Sequence, residues 1–83
     1  MLSVEDMERL GLIPRPRRIT TWIKAGRNTA ELDKRNRFVL AIEHHLDTQT
    51  GFVKGFTIAG LAREAKVSRP TIMAWLRELW GVK

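Results

Sequence analysis

The chain has 83 residues, no cysteine, and a formal net charge of +6 from 15 basic and 9 acidic side chains. At this length folding can bury one modest core, and the missing cysteines exclude disulfides and thiolate metal sites, so a reducing, cytoplasmic setting is expected. No apolar run approaches the ~20 residues of a membrane span, and Met1–Asp6 lacks the basic-then-apolar order of a signal peptide.

The distribution of charge says more than its sum. Residues 1–27 are basic, residues 28–55 carry equal numbers of both signs, and residues 56–83 are basic again. Charge at both ends, embedded in patterned sequence, points to a polyanionic partner or an acidic protein surface rather than to a basic tail.

Taken in chain order, Ser3 with Asp6 caps a first helix, and Val4, Met7 and Leu10 give it an apolar face up to Gly11. Leu12–Pro16 cannot be helical throughout, because Pro14 and Pro16 disfavour helix in the residues before them. A second helix begins near Arg17, with Ile19, Trp22 and Ile23 on one side and Gly26 as its stop. Asn28 and Glu31 form another capping box, and a long helix runs from about Thr29 to Leu46 with Leu32, Phe38, Val39, Ile42 and Leu46 inward. Residues 30–38 also fit a hairpin with Asp33-Lys34 at its tip, but Ala, Glu, Leu, Lys and Arg favour helix. Asp47–Gly51 is a turn, and Phe52–Phe56 an irregular connector. Thr57 caps a helix from Ile58 to about Ala65, Lys66-Val67-Ser68 is a turn, and Ser68 caps a last helix carrying Pro70 in its first turn. Ile72, Trp75, Leu76 and Leu79 are its buried stripe, and Gly81 ends it.

Two hexapeptides echo each other: Ile19-Thr20-Thr21-Trp22-Ile23-Lys24 and Ile72-Met73-Ala74-Trp75-Leu76-Arg77. Both read apolar-x-x-Trp-apolar-basic, and both follow Arg and Pro. The second lies in Ile58–Leu76, which resembles the helix-turn-helix pattern. Small Ala62 and Ala65 stand at the helix crossing, Val67 plugs the turn, and Ile72, Trp75 and Leu76 hold the second helix. Lys66 occupies the turn position where that pattern usually has Gly. With the preceding helix, residues 36–80 resemble the winged-helix units of phage and bacterial repressors and of plasmid replication initiators, and Trp80–Lys83 is at most a stub of a wing strand. The resemblance implies that Arg69, Pro70, Met73, Ala74 and Arg77 face a major groove. Arg69 is then the base reader, with Ser68, Thr71 and Arg77 on phosphates. Residues 2–27 resemble the opening of an excisionase or MerR-type domain through Leu10-Gly11-Leu12 and Trp22-Ile23-Lys24-Ala25-Gly26. Gly11 to Trp22 is two residues longer than that pattern, and the excess sits in Pro14-Arg15-Pro16. This second resemblance implies DNA contacts from Arg15, Arg17, Arg18, Thr21 and Lys24.

Other constellations point to no chemistry. His44 and His45 are helical neighbours about 100° apart and cannot share a metal. Glu5, Asp6 and Glu8 suit a helix dipole better than acid–base work. Trp22, Trp75 and Trp80 could stack on single-stranded bases, yet Trp22 and Trp75 lie on apolar faces. The expectation is an all-α fold of about five helices. Two helix-turn-helix units, residues 1–27 and 28–83, flank the long helix in one compact domain, with no wing or only a vestige. The expected function is non-catalytic, sequence-specific binding of double-stranded DNA, without cofactor, metal, small-molecule substrate or membrane partner, as a phage- or plasmid-type regulator. A homodimer or cooperative assembly on DNA is expected if only one head is active. An excisionase-like architectural factor, a replication initiator-type binder and a basic module gripping an acidic protein are the alternatives.

Overall fold

A computed structural model describes residues 3–82. Five helices and a small three-stranded antiparallel sheet enclose one core. The elements, in order, are α1 (Val4–Leu10), β1 (Leu12–Pro14), α2 (Ile19–Lys24), α3 (Thr29–His44), β2 (Leu46–Asp47), β3 (Phe52–Lys54), α4 (Ile58–Ala65) and α5 (Arg69–Trp80). The expected five helices are present; the expected absence of sheet is not. Residues 12–14, 46–47 and 52–54 pair in the order β1-β3-β2, with Ile13 opposite Val53 and Asp47 opposite Phe52. Nor is a wing strand drawn from residues after the last helix: Trp80 ends α5 and Gly81 caps it in a left-handed conformation.

The sheet corrects two readings. Phe52–Lys54 is a central strand, not an irregular connector. Its alternation places Phe52 and Lys54 outside and Val53 fully inside. Asp47–Gly51 turns the hairpin: Gly51 N–H donates to the Asp47 carbonyl at 2.7 Å, and Gln49 N–H donates to the Asp47 carboxylate at 2.9 Å. Leu12–Pro14 forms the third strand from the far end of the chain, fastened by Gly55 N–H to Gly11 O at 3.0 Å and Arg15 N–H to Gly51 O at 3.1 Å. Pro14, which has no N–H to donate to a ladder, sits on an edge strand, where its absence costs little.

The helix signals are realised locally. Ser3, Asn28, Thr57 and Ser68 each accept the backbone N–H of the residue three positions on. At α3 the box is shifted by one residue, because Glu31 accepts the N–H of Arg27 rather than that of Asn28. The helix reading of residues 30–38 holds over the hairpin, and α3 stops at His44 because Leu46 enters β2. Leu10 departs from the expected inward face: Val4 and Met7 are buried, while Leu10 is exposed beside the Gly11 cap.

The core draws on every part of the chain. Val4, Met7 and Ile13 share one cluster with Phe38, Ile42, Val53, Phe56, Leu61, Ile72 and Leu76. Glu8 ties the first helix to the fourth, accepting the Ile58 N–H at 2.6 Å and so satisfying an orphan amide at the start of α4. At the other end of α4, Arg37 donates to the Ala65 carbonyl at 3.1 Å.

Candidate nucleic-acid interface

The turn between α4 and α5 starts from Lys66. It takes the left-handed conformation, φ 58° and ψ 44°, that the turn requires. Three residues separate the helices, and Val67 packs against the core as the turn's plug. In α5, Ile72, Trp75 and Leu76 are buried. The opposite face is uncovered. Arg69, Pro70, Ala74 and Arg77 are exposed, Met73 is half-buried against the core edge, and Thr71 is half-buried with its hydroxyl 2.9 Å from that of Ser68.

The N-terminal segment is not a second helix-turn-helix. A strand, β1, lies between α1 and α2 and pairs with β3, so Pro14 belongs to a sheet and Arg15-Pro16 lead from it towards α2. The six-residue α2 instead leans on α3 and α5. Trp22 meets Trp75 edge to face at 5.4 Å between centroids, and both tilt against Phe38 at 5.6 and 5.3 Å. The tryptophans of the two hexapeptides therefore touch. Their rings serve packing, and the third, Trp80, donates its indole N–H to the Pro14 carbonyl at 2.7 Å. Glu78 accepts the Trp22 indole N–H at 2.9 Å.

Arg35 binds this corner together. It is 8% exposed, and its guanidinium lies 4.5 Å from the Trp22 ring centre and 6.0 Å from that of Trp75. It donates to the Trp22 carbonyl at 2.6 Å and to Glu31 at 3.1 Å. Its Nε has no hydrogen-bond partner among the described residues. No sequence signal distinguished Arg35 from its neighbours, because it sits in a helix full of exposed charge.

This arrangement decides where the basic side chains lie. One cleft runs along the C-terminal part of α5 and is lined by Arg17, Arg18 and Thr21 with Glu78 and Trp80, and an adjoining hollow adds Arg15. A second cleft opens at the N-terminal end of α5, between it and α3, lined by Lys34, Lys66, Ser68 and Thr71. Lys24 is exposed at the end of α2 and lines neither. Lys66 was singled out in the sequence only as a turn residue, and Lys34 not at all: the middle third of the chain is charge-balanced, and only folding carries Lys34 to the turn. Among the described residues the cations Arg9, Arg35 and Lys54 are paired with Asp6, Glu31 and Asp47. Those bracketing α5, namely Arg15, Arg17, Arg18, Lys34, Lys66, Arg69 and Arg77, form no salt bridge there. Asp6, Glu31 and Asp47 are in turn held below the ordinary carboxylate range, chiefly by the Ser3 N–H, the Arg27 N–H and the Lys54 ammonium respectively.

His44 is exposed and lies 3.8 Å from Glu64, and among the described residues no group of three His, Cys, Asp or Glu side chains comes together. No helix there is long and apolar enough to cross a membrane. No known protein family, curated protein or solved structure matches the chain.

Proposed function

We propose that this chain binds double-stranded DNA in a sequence-specific way, as a phage- or plasmid-type transcriptional regulator, with α5 as its reading helix. The observation carrying this is the bare outer face of α5, bordered at both ends by cations that form no salt bridge among the described residues. A solvated face of this kind suits a polyanion: phosphates replace water around the cations, and released counterions supply the affinity. Arg69 stands in the first turn of α5, where recognition helices reach base edges. Its guanidinium suits bidentate contact with guanine. Arg77 and the arginines at the other end suit the backbone.

Titrating fluorescent random duplex at increasing salt tests the reading. Measurable affinity at low salt with a steep negative log–log slope is expected, and no affinity at the lowest salt overturns it. Once a preferred site is selected from a random library, Arg69→Ala is expected to cost about 1–3 kcal/mol there and to relax preference at one base pair. An equal loss on selected and random duplex would remove Arg69 from base reading. A short footprint at a promoter fits a regulator, whereas an extended cooperative footprint at a recombination site fits an excisionase-like factor.

A further inference from the structure

Six described residues have positive φ: Gly11, Gly51, Gly55, Gly81, Arg18 and Lys66. Four are glycine, which adopts this conformation freely. The other two are long cations, at φ 59° and 58°, in a region where an L side chain crowds the following carbonyl. Backbone hydrogen bonds hold both turns, with Lys66 N–H donating to the Ala62 carbonyl and the Arg18 carbonyl accepting from Trp22 N–H, but neither conformation is one that a long side chain favours. Arg18 stands at the N-cap of α2 and makes no side-chain cap hydrogen bond, and Lys66 stands at the C-cap of α4. Both are exposed and form no salt bridge among the described residues. Glycine would relieve the strain at each site, so what the side chain adds is reach and charge.

Their positions share a logic. Lys66 lines the cleft at the N-terminal end of α5, and Arg18 lines the cleft at its C-terminal part. The helix between has twelve residues, about 18 Å at the helical rise. A B-form major groove is about 12 Å wide. A helix seated in it therefore carries its ends out to the flanking backbones. We propose that Arg18 and Lys66 are a pair of phosphate contacts bracketing α5, and that their strained backbones are retained for the charge they place there. Strain in a folded protein persists where the surroundings hold it and a function uses it. The proposal rests on the DNA reading and adds to it a specific exchange of fold stability for affinity.

Lys66→Gly and Arg18→Gly, made separately in the full chain, test it. Each is expected to raise the thermal midpoint by roughly 2–5 °C and, at the same time, to lower the log–log salt slope of duplex binding by roughly 0.9, leaving the preferred sequence unchanged. Lys66→Arg is expected to keep the parental slope. Lys66→Asn, which tolerates the same backbone without the charge, is expected to lose it. Lys54→Gln removes an equal charge from the sheet, where Lys54 already faces Asp47 at 2.9 Å, and is expected to leave the slope unaltered. A higher midpoint with an unchanged slope overturns the phosphate assignment while DNA binding stands. An equal fall in slope with Lys54→Gln reduces the effect to net charge and also overturns it. If the parental chain shows no salt-dependent affinity for duplex, the DNA reading falls and the bracket falls with it.

Discussion

At the scale of single residues, Arg35 does the least expected work. A guanidinium between two indoles gains from the ring faces and fills space that no shorter side chain reaches. It also donates to the Trp22 carbonyl near the end of α2, which otherwise accepts only the Ala25 N–H at 3.2 Å. Arg35→Ala removes the filler and leaves the Trp22 carbonyl with only the Ala25 N–H, at 3.2 Å. A loss of about 2–4 kcal/mol in chemical denaturation is expected. Arg35→Lys is expected to recover only part, because an ammonium has no plane to stack. A loss below about 0.5 kcal/mol for the alanine variant would show the corner to be held by the aromatic rings alone. The sequence identified Trp22, Phe38 and Trp75 as core residues by their helical spacing. It could not identify Arg35, whose burial depends on two rings arriving from elements 13 and 40 residues away.

At the scale of elements, helices follow local rules and the sheet does not. Ser3, Asn28, Thr57 and Ser68 start helices because their side chains accept amides three residues on, a contact that any chain with this sequence can make. The strands are only two or three residues long. Such segments have too little period to be read, and they exist because β3 is flanked by partners on both sides. The carboxylates at these junctions make stability sensitive to acid. Glu31 receives the N–H of Arg27 and the charge of Arg35, and Asp47 receives the Lys54 ammonium and the N–H of Gln49. Both are depressed in the folded chain relative to the unfolded one. The stability they contribute is therefore complete above the ordinary carboxylate range and is lost as pH falls through it. The thermal midpoint is expected to drop between about pH 6 and pH 3, and Glu31→Gln with Asp47→Asn is expected to flatten that drop. A midpoint that rises on acidification would contradict these assignments.

At the scale of the whole molecule, the two repeated hexapeptides become one corner rather than two reading heads. α2 gives its tryptophan to the core and its flanking arginines to the border of α5. On the DNA reading proposed above, a single reading helix per chain would call for a second copy on a palindromic site, with half-sites a helical turn apart. The shared core makes a further prediction. A chain restricted to residues 28–83 lacks Val4, Met7, Ile13 and Trp22, which cover Val53, Phe38 and Trp75. It is expected to lose cooperative thermal unfolding by circular dichroism. A sharp transition near the full-length midpoint would show that residues 28–83 fold alone.

The sequence by itself determined what neighbouring residues can settle. It specified the five helices, the N-caps of four of them at Ser3, Asn28, Thr57 and Ser68, and the inward and outward faces of α5 with its exposed Arg69 and Arg77. These depend on contacts within a few positions, where residue type fixes geometry. Only the tertiary structure decided that Leu12–Pro14 is a strand, that the Trp-bearing helices lean on each other, and that Lys34 joins Lys66 at one end of α5 while Arg15, Arg17 and Arg18 border the other. Each of these depends on segments far apart in sequence meeting around a common core; apolar periodicity marks a buried face, but burial is non-directional, so the period does not say which face meets which.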